Sequence, residues 1–292
     1  GLNDGCGAEH VQKAKALPAG VDAGKAATND TRFCSLDGDA DRIVFFFVGA
    51  DKQHVLLDGD KILILLSEYI GKLVKDAGVD LSLGVVQTAY ANGASTAYLR
   101  GKLGKEAMCF AATGVKFLHH KALDFDIGAY FEANGHGTVL FSEKACKEIE
   151  AKAKSDGAND ACKKLFALTR LINPAIGDAL SDMLAVEGVL ALNGMRMKDW
   201  ANIYEDLPSR MTKELVKDRT LVKTIPDESR VLEPAALQEE VDALVAKVPN
   251  GRCFVRPSGT EDCVRVYAEG NTQEAADKLA ADVGESVQKL LA

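Results

Sequence analysis

The chain has 292 residues, enough for two or more domains, and its 47% hydrophobic and 27% charged content is ordinary for a globular protein. A formal net charge of −8 at pH 7 argues against nucleic acid or an anionic membrane as the main partner, although a local basic pocket remains compatible with it. No apolar run reaches the length of a membrane span, and no basic-then-apolar leader opens the chain. Seven cysteines without a Cys-x-x-Cys pair indicate reduced thiols. We therefore expect a cytoplasmic protein.

The first part of the chain is predicted to form one helix and three short strands around an acidic loop. The helix is expected at residues 7–16, a loop at 17–32, and the strands at 33–36, 43–48 and 54–57. Asp58 is expected to cap the helix that follows.

The middle of the chain alternates between helices and strands. Helices are expected at residues 62–77, 95–103, 115–123, 144–155, 161–171 and 177–193, and strands at 83–87, 108–112, 127–132 and 138–141. This alternation predicts an α/β layer domain with a largely parallel sheet.

A domain boundary is expected between residues 194 and 208, because the pattern after it changes to an α+β module. Strands are predicted at residues 209–217, 221–224, 252–256 and 263–269, and helices at 234–248 and 272–291. The fold class predicted for the whole chain is therefore α/β layers followed by a C-terminal α+β domain.

The acidic loop places Asp37, Asp39 and Asp41 at alternate positions, immediately before a run of apolar residues. Alternate side chains of an extended segment point the same way, so the three carboxylates could converge on a cation. All-oxygen ligation suits Mg²⁺ first, then manganese or calcium. An EF-hand does not fit, because that loop needs glycine where Arg42 stands and glutamate where Val48 stands. An acidic surface turn is the alternative, and the buried-looking strand that follows disfavours it.

A second polar loop alternates Glu132, Asn134 and His136 between two predicted strands, with glycines that permit a close approach of ligand. A carboxylate, an amide and an imidazole match the donors and acceptors of a sugar's hydroxyl groups. Polar residues in glycine turns are common, so this loop alone is a weak indication of sugar binding.

A third loop combines Arg256, Ser258, Gly259 and Thr260 with Arg265 on the next strand. Backbone N–H groups, hydroxyls and two guanidiniums form a donor set that suits a phosphate dianion. The alternative is a polar hairpin turn with exposed arginines. We favour phosphate binding because so many anion donors lie within ten residues.

Lys116 follows a Thr-Gly turn at the start of a predicted helix, which is a mild anion-binding arrangement. It could bind phosphate or transfer a proton. His119 and His120 are adjacent on that helix, so they diverge by about 100° and rarely chelate one ion together. We expect one to be buried and hydrogen-bonded and the other exposed.

Taken in order, the stretches DGDADR, EANGHG and RPSGTE resemble the metal, sugar and phosphate loops of the α-D-phosphohexomutase superfamily. Asn134 stands where phosphoglucomutases and phosphomannomutases usually carry serine, and EANGHG is similar to the phosphoacetylglucosamine mutase family. The resemblance covers nearly all of the chain. It implies interconversion of N-acetylglucosamine 6-phosphate and 1-phosphate through a phosphoserine and a 1,6-bisphosphate, on the path to UDP-N-acetylglucosamine.

The resemblance also implies the roles of these loops. Asp37, Asp39 and Asp41 would hold Mg²⁺, with Arg42 and Lys116 as catalytic residues. The sugar phosphate would bind through Glu132, Asn134, His136, Arg256, Ser258, Gly259, Thr260 and Arg265. Residues 1–52 would end the second domain of the family, 53–197 would form the third, and 198–292 the fourth. A monomer is expected.

One departure concerns the nucleophile. The superfamily's phosphoserine lies in a Thr-x-Ser-His-Asn-Pro loop, and this sequence contains none. The chain as given is therefore expected to be inactive alone, since Ser35 and Ser258 lie in positions ill suited to carry a phosphoryl group. Phe117 also stands where a histidine is frequent. Two alternatives remain: a phosphoglucomutase or phosphomannomutase, and a non-catalytic fragment that binds sugar phosphate.

Overall fold

The computed structural model describes residues 2–27 and 31–291, so part of the loop predicted at 17–32 lies outside the described residues. The chain divides into two compact units. The first comprises the segment up to Gln87, Ser95–Cys109 and Val115–Glu205, and the second comprises Thr88–Ala94, Phe110–Gly114 and the segment from Asp206. The domain limits implied by the family resemblance stay a prediction.

The first unit opens with an antiparallel sheet that fixes the position of the acidic loop. Its strands are β1 (Phe33–Leu36), β2 (Ile43–Val48) and β3 (His54–Leu57), with β2 in the centre and every residue of β2 buried. Leu36 pairs with Ile43, so residues 37–42 form the loop of a β-hairpin. Two helices precede it, α1 (Ala8–Ala14) and α2 (Ala23–Ala26). The four-residue helix α2 corrects the loop predicted there; it is too short for a periodic signal.

A second sheet of the first unit contains both parallel and antiparallel pairs. Its strands are β4 (Leu83–Gln87), β5 (Met108–Phe110), β6 (Ile127–Phe131) and β7 (Gly137–Phe141), in the order β5-β4-β6-β7. β4 and β6 are parallel as predicted, whereas β6 and β7 are antiparallel. The expectation of a largely parallel sheet is wrong at this pair, because the short connection between the strands allows only a hairpin.

Seven helices of the first unit cover this sheet and one another. They are α3 (Gly59–Ala77), α4 (Gly93–Leu103, whose first two residues belong to the second unit), α5 (Val115–Ala122), α6 (Glu143–Ala153), α7 (Asp160–Leu171), α8 (Ala179–Leu192) and α9 (Met197–Ala201). The predicted cap is confirmed, since the Asp58 carboxylate accepts a hydrogen bond from Asp60 N at 3.0 Å. Among the described residues, none of the helices has both the length and the apolar character needed to cross a membrane.

Helix α9 lies in the stretch where the sequence predicted only a domain boundary, and it contains a fully buried tryptophan of the core. Trp200 is fully buried, packs edge-on against Phe45 at 5.3 Å between ring centroids, and donates from Nε1 to Lys61 O at 3.0 Å. A tryptophan ring buries a large apolar area and therefore contributes strongly to the stability of the core. The five-residue helix escaped prediction because it is shorter than two turns.

The second unit has the α+β character predicted for it. Strands β8 (Ser209–Leu215), β11 (Arg252–Pro257) and β12 (Cys263–Glu269) form an antiparallel sheet in the order β11-β12-β8, and β9 (Lys223–Thr224) pairs with β10 (Val231–Glu233). Helices α10 (Ala235–Val245) and α11 (Gln273–Leu291) complete the unit. The strand predicted at 221–224 is shorter, because Arg219–Leu221 is a 3-10 helix, and the three-residue strand β10 was not predicted.

Candidate functional site

The acidic loop brings its three carboxylates together as predicted, but through a hairpin turn and not through an extended segment. One carboxylate oxygen from each of Asp37, Asp39 and Asp41 lies within 4.8 Å of the others. The loop closes through Asp37 N, which donates to Arg42 O at 3.4 Å, and Ala40 N, which donates to Asp37 O at 3.2 Å. Ala40 has φ of +57°, so the turn needs a left-handed residue at this position.

Asp37 also builds the loop that carries it. Its Oδ1 accepts hydrogen bonds from Asp41 N at 3.2 Å and Arg42 N at 3.1 Å, and its side chain is only 7% exposed. One oxygen of Asp37 therefore fixes the backbone of the loop, and the other faces the guanidinium of Arg42, with Nε at 3.6 Å.

Asp41 is the member of this cluster with a carboxylate oxygen that lacks a hydrogen bond among the described residues. This oxygen, Oδ1, is buried. Burial raises the pKa of Asp41, and the nearby charges of Asp37 and Asp39 raise it further, against an opposing effect of His136. A buried carboxylate oxygen without a hydrogen bond, beside two like charges, is costly, and a bound cation lowers this cost. The three residues therefore fit a hard divalent ion such as Mg²⁺.

Arg42 is held among carboxylates. Its Nε lies 3.6 Å from Asp37 and 3.7 Å from Asp41 Oδ1, and its Nη1 lies 3.8 Å from Glu9 on α1. None of these distances is a close hydrogen bond. The guanidinium thus stays beside the acidic cluster and retains donor capacity for an anion.

Residues 132–136, which we call the sugar-type loop, close the β6–β7 hairpin. Some polar groups of this loop form hydrogen bonds within it. Glu132 N donates to His136 O and Gly135 N to Glu132 O, both at 2.8 Å. The Asn134 side chain accepts from His136 N at 2.9 Å, so its oxygen is engaged and its NH₂ group is the end left to bind a ligand.

The acidic and sugar-type loops share one backbone framework. Ile43 N donates to Gly135 O at 3.1 Å, and Arg42 and His136 pair as an isolated antiparallel bridge. A Cβ added to Gly135 would lie 1.9 Å from Ile43 O, and the φ of Gly135 is +88°, so only glycine fits. The imidazole Nδ1 of His136 lies 3.6 Å from Asp41 Oδ2.

Gly59, the first residue of α3, also packs against this framework. A Cβ built on it would lie 1.8 Å from Glu132 O. We expect Gly59→Ala to destabilise the protein by about 1–3 kcal/mol, because the methyl group must push the sugar-type loop away. Gly101→Ala on α4 is the control, since a Cβ there meets no atom within 4 Å. Thermal or urea unfolding of both variants tests this, and equal stability would contradict the packing.

A cavity of about 440 Å³ adjoins the two loops. It is lined by Asp41, Val115, Lys116, His119, His120, Tyr130, His136, Ala175, Ile176 and Gly177. Asp41, His136 and Lys116, all predicted site residues, therefore share one cavity, whereas Glu132 and Asn134 are not among its lining residues. Tyr130 and the 175–177 segment were not predicted, because neither belongs to a recognisable motif.

The two histidines of α5 behave as predicted. His119 is half-buried, with Nδ1 3.1 Å from the hydroxyl of Tyr130, and His120 is exposed. Burial, with the charges of Asp182 and Glu132, raises the pKa of Tyr130 to about 12, so its phenol stays protonated near neutral pH. The exposed Lys116 has its ammonium 4.8 Å from the centroid of the Phe117 ring.

Residues 258–262, which we call the phosphate-type loop, connect β11 and β12 in the second unit. Ser258 is buried; its N donates to Cys263 O at 2.9 Å, and its hydroxyl accepts long contacts from Thr260 N and Glu261 N at 3.4 Å. Ser258 therefore shapes the turn, while Gly259 and Thr260 are exposed. Arg219, which lies outside the three predicted loops, donates from Nη2 to Gly259 O at 3.2 Å.

Arg256 and Arg265 occupy directly opposed positions of the β11–β12 pair. Like charges placed opposite one another destabilise a sheet, so this arrangement needs compensation. Part of it comes from carboxylates, since Arg256 Nε lies 3.0 Å from Glu228 and Arg265 Nη2 lies 3.6 Å from Glu261. The remaining donors of the two guanidiniums suit an anion.

Two parts of the chain match known protein families. Residues 58–195 match the family described as "Phosphoacetylglucosamine mutase AMG1, domain III", and residues 212–286 match "Phosphoglucomutase/phosphomannomutase, C-terminal domain". Phosphoacetylglucosamine mutase of Mus musculus is 49% identical over 284 residues, which span 97% of this chain and 52% of the mouse protein. Over nearly its whole length, the chain is similar to a phosphoacetylglucosamine mutase.

Solved structures of the family superpose closely on this chain. The Aspergillus fumigatus N-acetylphosphoglucosamine mutase, in complex with GlcNAc-6P and magnesium, has a TM-score of 0.90 at 45% identity, covering 98% of this chain and 57% of that one. An N-acetylglucosamine-phosphate mutase described as a member of the α-D-phosphohexomutase superfamily, in its substrate complex, gives the same TM-score of 0.90 at 45% identity, covering 98% of this chain and 53% of that one. These confirm the α/β phosphohexomutase fold predicted from the sequence. The chain spans about half the length of the relatives it matches.

Proposed function

We propose that this chain is the metal-binding and substrate-binding part of a phosphoacetylglucosamine mutase, which interconverts N-acetylglucosamine 6-phosphate and N-acetylglucosamine 1-phosphate. The observation that carries the proposal is the convergence of Asp37, Asp39 and Asp41, with oxygens within 4.8 Å, on a loop bonded to the sugar-type loop. The A. fumigatus structure with GlcNAc-6P and magnesium supports the same ligands for this chain.

Asp37, Asp39 and Asp41 would hold Mg²⁺ through one oxygen each. When bound, the ion supplies positive charge that stabilises a phosphoryl group in transfer. Asp37 keeps its second role of fixing the loop backbone, and Arg42, held beside the same carboxylates, offers guanidinium donors to the phosphoryl oxygens. Both effects are positioning and electrostatics, which dominate catalysis of phosphoryl transfer.

Glu132, the NH₂ group of Asn134 and His136 would bind the hydroxyl and acetamido groups of the sugar. Lys116 would bind a phosphate or transfer a proton, and both roles suit its exposed position on the cavity wall. The Arg256–Arg265 pair, with the turn at Ser258, Gly259 and Thr260, would bind the phosphate that is not reacting.

The reaction class needs a phosphorylated nucleophile, and no Thr-x-Ser-His-Asn-Pro loop occurs in this sequence. Ser35 and Ser258 are each 8% exposed, and Ser258 accepts hydrogen bonds within its turn, so neither suits phosphoryl transfer. We therefore propose that these 292 residues bind and orient the substrate, and that the phosphoserine comes from elsewhere in the whole enzyme. We further propose a cytoplasmic monomer.

Replacement of Arg256 by alanine tests the phosphate loop. We expect Arg256→Ala to weaken binding of N-acetylglucosamine 6-phosphate by about 1.5–3 kcal/mol, the contribution of one charge-assisted contact. Calorimetric titration at fixed salt measures this, with Arg210→Ala on the same sheet as the control, because Arg210 pairs with Asp277 at the surface. Unchanged affinity in Arg256→Ala would show that the phosphate loop is misassigned.

A further inference from the structure

Glu228 lies in the connection between β9 and β10, in a conformation that a non-glycine residue rarely adopts. Ile225 N donates to Arg230 O at 3.0 Å, Glu228 N donates to Ile225 O at 2.9 Å, and Glu228 has φ of +62°. Such a conformation is strained, and it persists where surrounding contacts over-determine it. Strain of this kind is frequent at functional sites, so the contacts of Glu228 need an explanation.

A single carboxylate oxygen of Glu228 serves three partners. Its Oε2 accepts hydrogen bonds from Thr113 N at 2.9 Å and Thr113 Oγ1 at 2.6 Å, and it forms an ion pair with Arg256 Nε at 3.0 Å. Thr113 belongs to the same compact unit as Glu228 and Arg256. The two hydrogen bonds anchor the same carboxylate oxygen that lies beside the guanidinium.

The Arg256–Glu228 ion pair is largely shielded from solvent, which strengthens the attraction between the two side chains. The side chains of Arg256 and Glu228 are 14% and 17% exposed, whereas those of the surface pair Arg230–Asp242 in the same unit are 53% and 51% exposed. Charges in such surroundings are screened less by water and salt than charges at the surface. A charge left there without its partner is also costly.

The guanidinium of Arg256 is thus restrained on two sides. Glu228 holds the Nε edge, and the ring of Tyr90 lies beside the guanidinium, with its centroid 5.8 Å from Cζ. Burial raises the pKa of Tyr90, which keeps this ring neutral near neutral pH. The Glu228 carboxylate lies on the Nε side of the guanidinium, whereas the terminal nitrogens form the fork that matches phosphate geometry.

We propose that Glu228 is the positioning residue of Arg256: anchored by Thr113, it orients the guanidinium so that the terminal nitrogens present their fork to a phosphate group. This inference rests on the phosphate site of the proposed function. It assigns a role to a residue outside the RPSGTE stretch, supplied by a loop about thirty positions earlier in the chain. In the opposite arrangement, Glu228 would compete with phosphate for Arg256, and its removal would tighten binding.

The test is a double-mutant cycle on the 292-residue chain, titrated with N-acetylglucosamine 6-phosphate and, in parallel, with N-acetylglucosamine. We expect Glu228→Ala to weaken binding of the phosphorylated sugar about tenfold and to leave the unphosphorylated sugar unaffected. Glu228→Gln, which keeps the size and an acceptor oxygen, should restore part of the affinity. In the Arg256→Ala background, Glu228→Ala should have no further effect. Glu233→Ala is the matched control, since it removes an exposed carboxylate from the adjoining strand.

A second measurement tests the contact without any ligand. In NMR spectra of the free chain, Glu228→Ala should shift the Nε–H resonance of Arg256, because it removes the carboxylate that lies 3.0 Å from Nε. If Arg256→Ala weakens binding but Glu228→Ala leaves it unchanged or tightens it, the positioning role is wrong and the phosphate site stands. If Arg256→Ala has no effect on affinity, the phosphate site fails and the positioning role fails with it.

Discussion

Replacing Asp39 by asparagine is expected to lower the affinity of the chain for Mg²⁺ by at least about 100-fold, because one of three converging carboxylates loses its charge. Asp39 is the most informative of the three positions. It is exposed, whereas Asp37 also accepts the hydrogen bonds that shape the loop. A loss of affinity in Asp39→Asn therefore reports on the ion and not on the fold.

Calorimetric titration with Mg²⁺ measures this effect, and the unfolding temperature without Mg²⁺ should be unchanged. Asp156→Asn provides the control, since it removes the charge of an exposed aspartate distant in sequence from the acidic loop. Wild-type affinity for Mg²⁺ in Asp39→Asn would show that the acidic loop is a surface turn and not a metal site.

Replacing Glu269 by alanine is expected to destabilise the second unit by about 2–3 kcal/mol, because it removes the acceptor of several buried donors, while the Arg252 side chain is 34% exposed and can still reach water. Glu269 is fully buried and accepts from Arg252 Nη2 at 2.7 Å, Arg252 Nε at 3.0 Å and the Tyr267 hydroxyl at 2.8 Å. It also accepts from Gly93 N at 3.0 Å, and Arg252 donates to Ala89 O and Ala91 O. Its loss would leave several buried donors without an acceptor.

The matched control is Asp277→Ala, which removes an equally well-formed pair from the surface. Asp277 accepts from Arg210 Nε at 2.6 Å and Nη2 at 2.9 Å, with both side chains more than 40% exposed. Exposed pairs contribute about 0–1 kcal/mol, so this variant should unfold nearly as the wild type does. Urea denaturation compares the two variants, and similar losses of stability would contradict the role assigned to Glu269.

A local sequence signal predicted the clustering of carboxylates in the acidic loop, because the residues concerned are nearly consecutive. Alternating aspartates before an apolar run were sufficient to predict the convergence of Asp37, Asp39 and Asp41. The same reasoning was less successful for the sugar-type loop. The amide oxygen of Asn134 is used to close the hairpin, and Glu132 does not line the cavity that His136 shares with Asp41.

Contacts between residues distant in sequence could not be predicted, because no short pattern reports them. Glu228 and Thr113 are 115 positions apart, and Trp200 donates to a carbonyl 139 positions away. The Arg252–Glu269 pair lies on neighbouring strands 17 positions apart, and its importance depends on burial. Composition does not reveal which charged residue a fold will bury.

The shortest helices and strands were not predicted from the sequence, for a related reason. Helix α2, helix α9 and strand β10 each have fewer residues than the window in which a periodic pattern can be distinguished from chance. The 3-10 helix at Arg219–Leu221 replaced part of a predicted strand, and Arg219 thereby contacts the phosphate-type loop.

The selectivity of sugar-phosphate binding tests the central claim most directly, because it separates a phosphoacetylglucosamine mutase from a phosphoglucomutase or phosphomannomutase. The chain would be titrated, in the presence of Mg²⁺, with N-acetylglucosamine 6-phosphate and with glucose 6-phosphate. We predict tighter binding of N-acetylglucosamine 6-phosphate by at least about tenfold, and loss of that preference in Asn134→Ser. Equal binding of the two sugars, or a preference for glucose 6-phosphate, would contradict the proposed function.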